Sequence, residues 1–317
     1  MNSEKSVLND AQDLLLRLGI DRLSPSHVQS WVESPSSWAM RYVHGLRTSA
    51  NANMHIGSLV EECALRATFG VWKDMDPSDV AMFAMEERDP DIEMTEKEQD
   101  KLMHMVTSLV PVMRERFVGE ELLVPQRTAF MQWRVERRMK TDLGSMHLPM
   151  IGYLDGLTRT GTVIEVKTSA VMPPAGKPRP DHLQQVAFYW ECVRNALAME
   201  RPKFREQLLL SALSEWKPNV VMFYALARKK NPVLVIEPTV TELEDAFRML
   251  EWKVSKLMKW LRLFWGVDDV DELRALVTDS IPVRSDDFRM NNYSDEQVAR
   301  VFGLPDQKGL EDEFEIV

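Results

Sequence analysis

Residues 162–170, TVIEVKTSA, set two charges into an apolar, β-branched run. Side chains alternate along a strand, so Glu165 and Lys167 share one face while Val166 points to the other. A charge placed where Val or Ile would pack costs free energy unless it is paired or holds a cation. One hairpin upstream, GYLD at 152–155 ends a second apolar run on Asp155. Between the two runs, Arg159-Thr160-Gly161 is a turn signal, so Asp155 can approach the face that carries Glu165 and Lys167. Two carboxylates beside one ammonium make an oxygen-rich pocket suited to a hard divalent cation. A structural ion-pair cluster at a strand end satisfies the same spacing. Glu-x-Lys recurs at Glu215/Lys217 and Glu251/Lys253, the latter as ordinary helix surface.

The flanking sequence supplies the rest of an α/β domain. Residues 5–19 read as an amphipathic helix. Residues 23–46 give two short helices, the first capped by Ser26 and the second opened by Pro35. Residues 54–69 are helical, and Thr95 with Glu98 forms a capping box for a helix over 96–117. From 121 the pattern changes to runs rich in Val, Ile, Thr and aromatics, giving strands within 121–139, 148–158 and 162–170. Proline blocks regular structure over 173–180. Helices follow over 181–198 and 202–213, then strands near 218–227 and 232–239. A second box, Thr241 with Glu244, opens a helix to about 265. The expectation is a central mixed β-sheet flanked by helices, with a helical N-terminal portion and no clean linker. The segments are a mainly helical portion over 1–120, a core over 121–268 and an extension with an acidic tail over 269–317.

Composition excludes several classes. No apolar run approaches the roughly 18 residues of a membrane helix. The first residues, MNSEKSVLND, lack a secretory pattern, so a soluble cytoplasmic protein is expected. Cys63 and Cys192 lack metal-ligand spacing, which argues against zinc fingers and iron–sulfur clusters. No GxxxxGK[ST] motif is present, so any ATP-driven motor is a separate protein. The net charge is −10, which opposes nonspecific nucleic-acid binding. Residues 74–100 carry eleven acids and two bases, and so nine of those ten charges. Basic clusters remain at 134–140, at Lys177 and Arg179, at 201–205 and at 228–230. Each is read first as a solvated face.

With these pieces in order, the chain resembles the PD-(D/E)XK nuclease superfamily, in its RecB-like and phage lambda exonuclease-like branch. Asp155 followed by Glu165-Val166-Lys167 resembles the family signature. Gln185 and Tyr189 in HLQQVAFYW resemble its QxxxY motif, and Gly57 with Glu61 in HIGSLVEECALRA resembles its GxxxE helix. LSPSHVQSWVESPSSWAMRYVHGL is similar to the RecB-like opening, with Ser34-Pro35 where cluster-bearing relatives have Cys-Pro.

The resemblance implies a restriction-endonuclease-like core and a nuclease dependent on Mg²⁺ or Mn²⁺, without nucleotide or iron–sulfur cofactor. Glu61, Asp155 and Glu165 are then carboxylate ligands and the Val166 carbonyl a backbone ligand. Lys167 orients the attacking water. Gln185 and Tyr189 face the DNA; by position, His182 one turn earlier and Lys177 and Arg179 in the loop before that helix are the candidate phosphate contacts. His55, just before Glu61, is a candidate supporting histidine. The implied substrate is DNA with a free end, in recombination, repair or phage replication. Endonucleolytic cutting and a catalytically silent scaffold remain open beside exonuclease action, as do a homo-oligomer and a recombination or single-strand-binding partner.

Overall fold

The structure is a computed structural model that describes residues 2–47, 52–86, 94–122, 133–142, 144–198, 219–228, 230–283 and 289–303. The chain forms two compact units built from interleaved segments. One comprises Met1–Ser49, Glu136–Ile151 and Arg248–Val317; the other comprises Ala50–Val135 and Gly152–Phe247.

The second unit carries a four-stranded mixed sheet. Its strands, in spatial order, are β3 (Gly156–Leu157), β4 (Thr162–Ser169), β5 (Asn219–Leu226) and β6 (Val233–Ile236). β3 and β4 are antiparallel across the turn ending at Gly161, whose φ of 94° suits glycine. β4 and β5 run parallel, pairing Glu165 with Met222 and Lys167 with Tyr224. β6 closes the sheet antiparallel to β5.

Alternation sorts the two faces. Ile164, Val166, Val221, Phe223 and Ala225 form one buried cluster with three helices, α4 (Ala52–Phe69), α5 (Pro77–Glu86) and α6 (Glu96–Arg116). The expected capping box of α6 is present: Thr95 N–H donates to Glu98 at 2.9 Å, and Glu98 N–H donates to the Thr95 hydroxyl at 3.4 Å. The opposite face, with Glu165, Lys167 and Tyr224, meets the helix over Pro180–Ala198, here α7.

In the first unit, α1 (Asn2–Arg17), α2 (Pro25–Glu33) and α3 (Pro35–Trp38) precede a π-helical turn at Ala39–Val43. β1 (Trp133–Thr141) and β2 (Gly144–Leu154) form a two-stranded sheet, and both run across the division between units. Gln12 accepts from the Leu148 N–H at 2.9 Å, which ties α1 to β2. The helix over Val240–Leu261, α8, enters this unit in its C-terminal part, followed by α9 (Val270–Asp279) and α10 (Asp295–Phe302).

Two caps differ from expectation. The cap of α2 is Ser24, not Ser26, accepting from His27 N–H at 3.0 Å. Pro25 lacks an N–H and so suits the first helical position after Ser24. The box of α8 is Thr239 with Glu242, not Thr241 with Glu244; Thr239 N–H donates to Glu242 at 2.8 Å. Starting two residues earlier satisfies one more pair of backbone groups, including Leu243 N–H to the Thr239 carbonyl at 3.0 Å. The helix expected over 202–213 lies outside the described residues.

Candidate active site

Asp155 sits in the bend between β2 and β3, not within a strand. Its carboxylate is buried and accepts the Val166 N–H at 2.8 Å. That bond fixes the bend to β4 at the residue between Glu165 and Lys167. Glu165 is 0% exposed. Among the described residues its carboxylate has one partner in contact, the Lys167 ammonium, which forms an ion pair with it and donates to it. The Lys167 side chain keeps 22% of its surface in solvent. Glu61, on α4, lies within hydrogen-bond reach of the Asp155 carboxyl and adds to the charge felt by Lys167.

Close approach of the elements explains the glycines. A Cβ on Gly57 would meet the Thr168 hydroxyl at 3.2 Å, so the bare backbone there lets α4 lie against β4 and carry Glu61, one turn on, to the site. A Cβ on Gly152 would lie 2.3 Å from Tyr189 Cε1 and 3.0 Å from Phe188 Cε1. Gly152 thus seats α7 on β2. On α7, Gln185 donates to the Tyr189 hydroxyl at 2.6 Å, as expected of two residues four apart on one helical face.

Burial dominates the electrostatics. It pushes the Glu165 carboxyl up to about 8, with Asp155 adding and Lys167 opposing. It raises Asp155 well above the usual carboxylate range, with Glu61 adding. For Lys167, burial disfavours the ammonium, but Glu165 and Asp155 outweigh it and hold the group above the ordinary lysine range. Burial also raises Tyr189, and Glu165 adds to that shift. Three carboxyls thus meet one permanent cation, and a further cation is what would let all three ionise together.

Among the described residues, no three His, Cys, Asp or Glu side chains stand as a closed ligand set. The donor set nonetheless fits a hard divalent ion. It is all oxygen, and among the described residues the buried Glu165 carboxylate has no donor but the Lys167 ammonium. Val166 is buried on the opposite face and takes part in the β4–β5 pairing.

The DNA-facing candidates divide. His182 Nδ1 lies 3.0 Å from the Tyr224 hydroxyl, and its Nε2 lies 3.7 Å from Asp181. Burial lowers this imidazole to about 4 against the pull of Asp181, so it is neutral at pH 7 and offers a hydrogen bond, not charge. Arg179 is exposed but pairs with Asp181 at 3.1 Å. Lys177 is exposed. His55 has its Nε2 buried and, among the described residues, without a hydrogen-bond partner.

Sequence reasoning missed Tyr224. Its buried hydroxyl accepts the Arg179 N–H at 3.3 Å and holds His182, so it braces the loop that leads into α7. Burial pushes that hydroxyl up to about 12. In sequence it is one aromatic in an apolar strand; only the pairing opposite Lys167 marks it.

Among solved structures, one described as a "putative exonuclease" from Eubacterium rectale shares 12% identity. It aligns over 86% of this chain and 92% of its own, with a TM-score of 0.49. The structure of SSO0001 shares 13% identity over 69% of this chain and 85% of its own, with a TM-score of 0.25. No curated protein matches. The sequence profile of the PD-(D/E)XK nuclease superfamily matches residues 22–272, a span that contains the sheet, the Asp155 bend, Glu165-Val166-Lys167 and α7. This chain belongs to the PD-(D/E)XK nuclease superfamily.

Proposed function

We propose that the protein is a metal-dependent exodeoxyribonuclease that degrades DNA from a free end. The observation that carries this reading is the convergence of Glu61, Asp155 and Glu165 on the Lys167 ammonium, with Glu165 fully buried and that ammonium its one donor among the described residues. Family membership supports the nuclease part of the reading. The match of Gln185 and Tyr189 to the QxxxY motif supports its end-processing part.

In this reading Glu61, Asp155, Glu165 and the Val166 carbonyl hold Mg²⁺ or Mn²⁺. When bound, such an ion polarises the scissile phosphate and acidifies a water. Lys167 donates to the attacking water and steadies the charge growing on the phosphate oxygens. The Val166 N–H keeps Asp155 aimed while its other oxygen serves the site. Gln185 lines the approach of the DNA backbone from α7, with the buried Tyr189 hydroxyl behind it. His182, neutral and braced by Tyr224, positions the start of that helix. Lys177 supplies exposed positive charge beside it.

The test is to incubate the protein with closed-circular and end-labelled linear DNA, with Mg²⁺ or Mn²⁺ present or chelated. Loss of the linear substrate alone, only with metal, is expected. Cutting of the circle would make it an endonuclease, and persistence of both would make it a silent scaffold.

A further inference from the structure

A cavity of about 460 Å³ lies between the β1–β2 turn and the C-terminal half of α8, within the first unit. Its walls include Lys140, Lys256 and Lys259, and it is flanked by Trp252, which is 54% exposed. Trp252, Lys256 and Lys259 follow helical spacing on the solvent stripe of α8, while Lys253, Val254 and Leu257 face inward. The Lys256 ammonium stands 5.2 Å from the Trp252 ring centroid. Asp142, at the strand turn, pairs with Lys259 and so ties the turn to the helix. Glu251 and Asp142 leave the lining with three lysines against two carboxylates, positive in a chain whose net charge is −10.

An indole left more than half exposed beside a cation, over a nucleotide-sized hollow, is the chemistry of base stacking with phosphate contact. Lys140 adds a second cation from the strand side, in line with the exposed Arg138 on the same face of β1. We propose that this groove binds single-stranded DNA, one base stacking on Trp252 and the backbone running along Lys140, Lys256 and Lys259. It is an accessory contact for the polynucleotide, separate from the Asp155–Glu165–Lys167 site. The choice of nucleic acid as ligand rests on the nuclease reading.

The experiment measures binding apart from cleavage. Full-length protein in EDTA is titrated into fluorescein-labelled oligo(dT) and into a duplex of equal length, with fluorescence anisotropy as the readout. Trp252→Ala is expected to weaken oligo(dT) binding by roughly ten-fold, and the pair Lys256→Gln/Lys259→Gln to lower its salt slope by up to about 1.4. Duplex binding changes less. Thermal melts of both variants should stay within about 2 °C of wild type, because these side chains are exposed and a surface pair such as Asp142–Lys259 contributes little. Hydrolysis of bis(p-nitrophenyl) phosphate with Mn²⁺ is run in parallel. Unchanged turnover with weakened oligo(dT) binding supports the groove. Wild-type affinity and salt slope in both variants overturn it, even if cleavage is intact; absent turnover in wild type overturns the nuclease reading and leaves the binding result to stand.

Discussion

Substituting Gly152 by alanine tests how α7 is seated. The new methyl would lie 2.3 Å from Tyr189 Cε1, 3.1 Å from Cδ1 and 3.0 Å from Phe188 Cε1. Phe188 and Tyr189 are both buried, so neither ring swings clear without displacing its neighbours. Overpacking of this kind costs roughly 2–3 kcal/mol. Shifting Tyr189 also breaks its bond from Gln185, a further ~1 kcal/mol. The apparent melting temperature should fall by about 4–6 °C, and DNA cleavage should fall by at least about ten-fold as Tyr189 shifts. Gly57→Ala is the built-in control. Its Cβ meets one hydroxyl, at 3.2 Å, and Gly-to-Ala inside a helix returns about 1 kcal/mol. That variant should melt within about 2 °C of wild type. Melts by circular dichroism and cleavage of end-labelled DNA decide the matter. If Gly152→Ala melts and cleaves like wild type, the seating of α7 on β2 is misjudged.

Further outcomes follow from the same geometry. Millimolar Mg²⁺ should raise the melting temperature of wild type but not of Asp155→Asn/Glu165→Gln, since a ligand at 100 times its Kd adds about 2.7 kcal/mol. Burial holds His27 at about 3, against an ordinary value of 6.5, with Arg41 adding. Its folded value lies below its unfolded one, so below pH 6.5 the unfolded chain binds the extra proton. The His27 contribution is full above pH 6.5 and falls as pH drops toward 3, by about 2 kcal/mol at pH 5; in urea unfolding across pH 4.5–7.5 the difference between wild type and His27→Phe should carry that slope, because His182 and the buried carboxyls titrate alike in both. Arg179 already pairs with Asp181 while Lys177 is exposed. Lys177→Glu should therefore weaken DNA binding more than Arg179→Ala, and anisotropy titrations at several salt concentrations would rank them.

The strand that carries Glu165 and Lys167 stands out in the sequence because it breaks a rule. Charges at alternate positions of a β-branched run have few explanations, and Asp155 one hairpin away narrows them further. Glu61 was legible only through the glycine four residues before it, since nothing local distinguishes it from Glu62. The structure supplies the reason for that glycine in the contact with Thr168.

Other features depend on contacts distant in sequence. Tyr224 matters because β5 pairs parallel to β4, and parallel register leaves no mark in either strand. The bracing of His182 follows from it. The interleaving of segments 1–49, 136–151 and 248–317 in one unit is equally silent in the sequence, because it rests on packing between residues far apart along the chain. The two capping shifts have a local cause. Ser24 and Ser26, and Thr239 and Thr241, are each able to cap, and the choice falls to the start that satisfies more backbone groups.

The central claim is that Lys167 and the three carboxyls around it form one hydrolytic centre. The most direct measurement compares single-turnover cleavage of end-labelled linear DNA by wild type and Lys167→Ala, with Mg²⁺ and enzyme in excess, after melts confirm that both are folded. The account predicts a rate at least about a thousand-fold lower for Lys167→Ala. A folded Lys167→Ala protein that cleaves at the wild-type rate would contradict it.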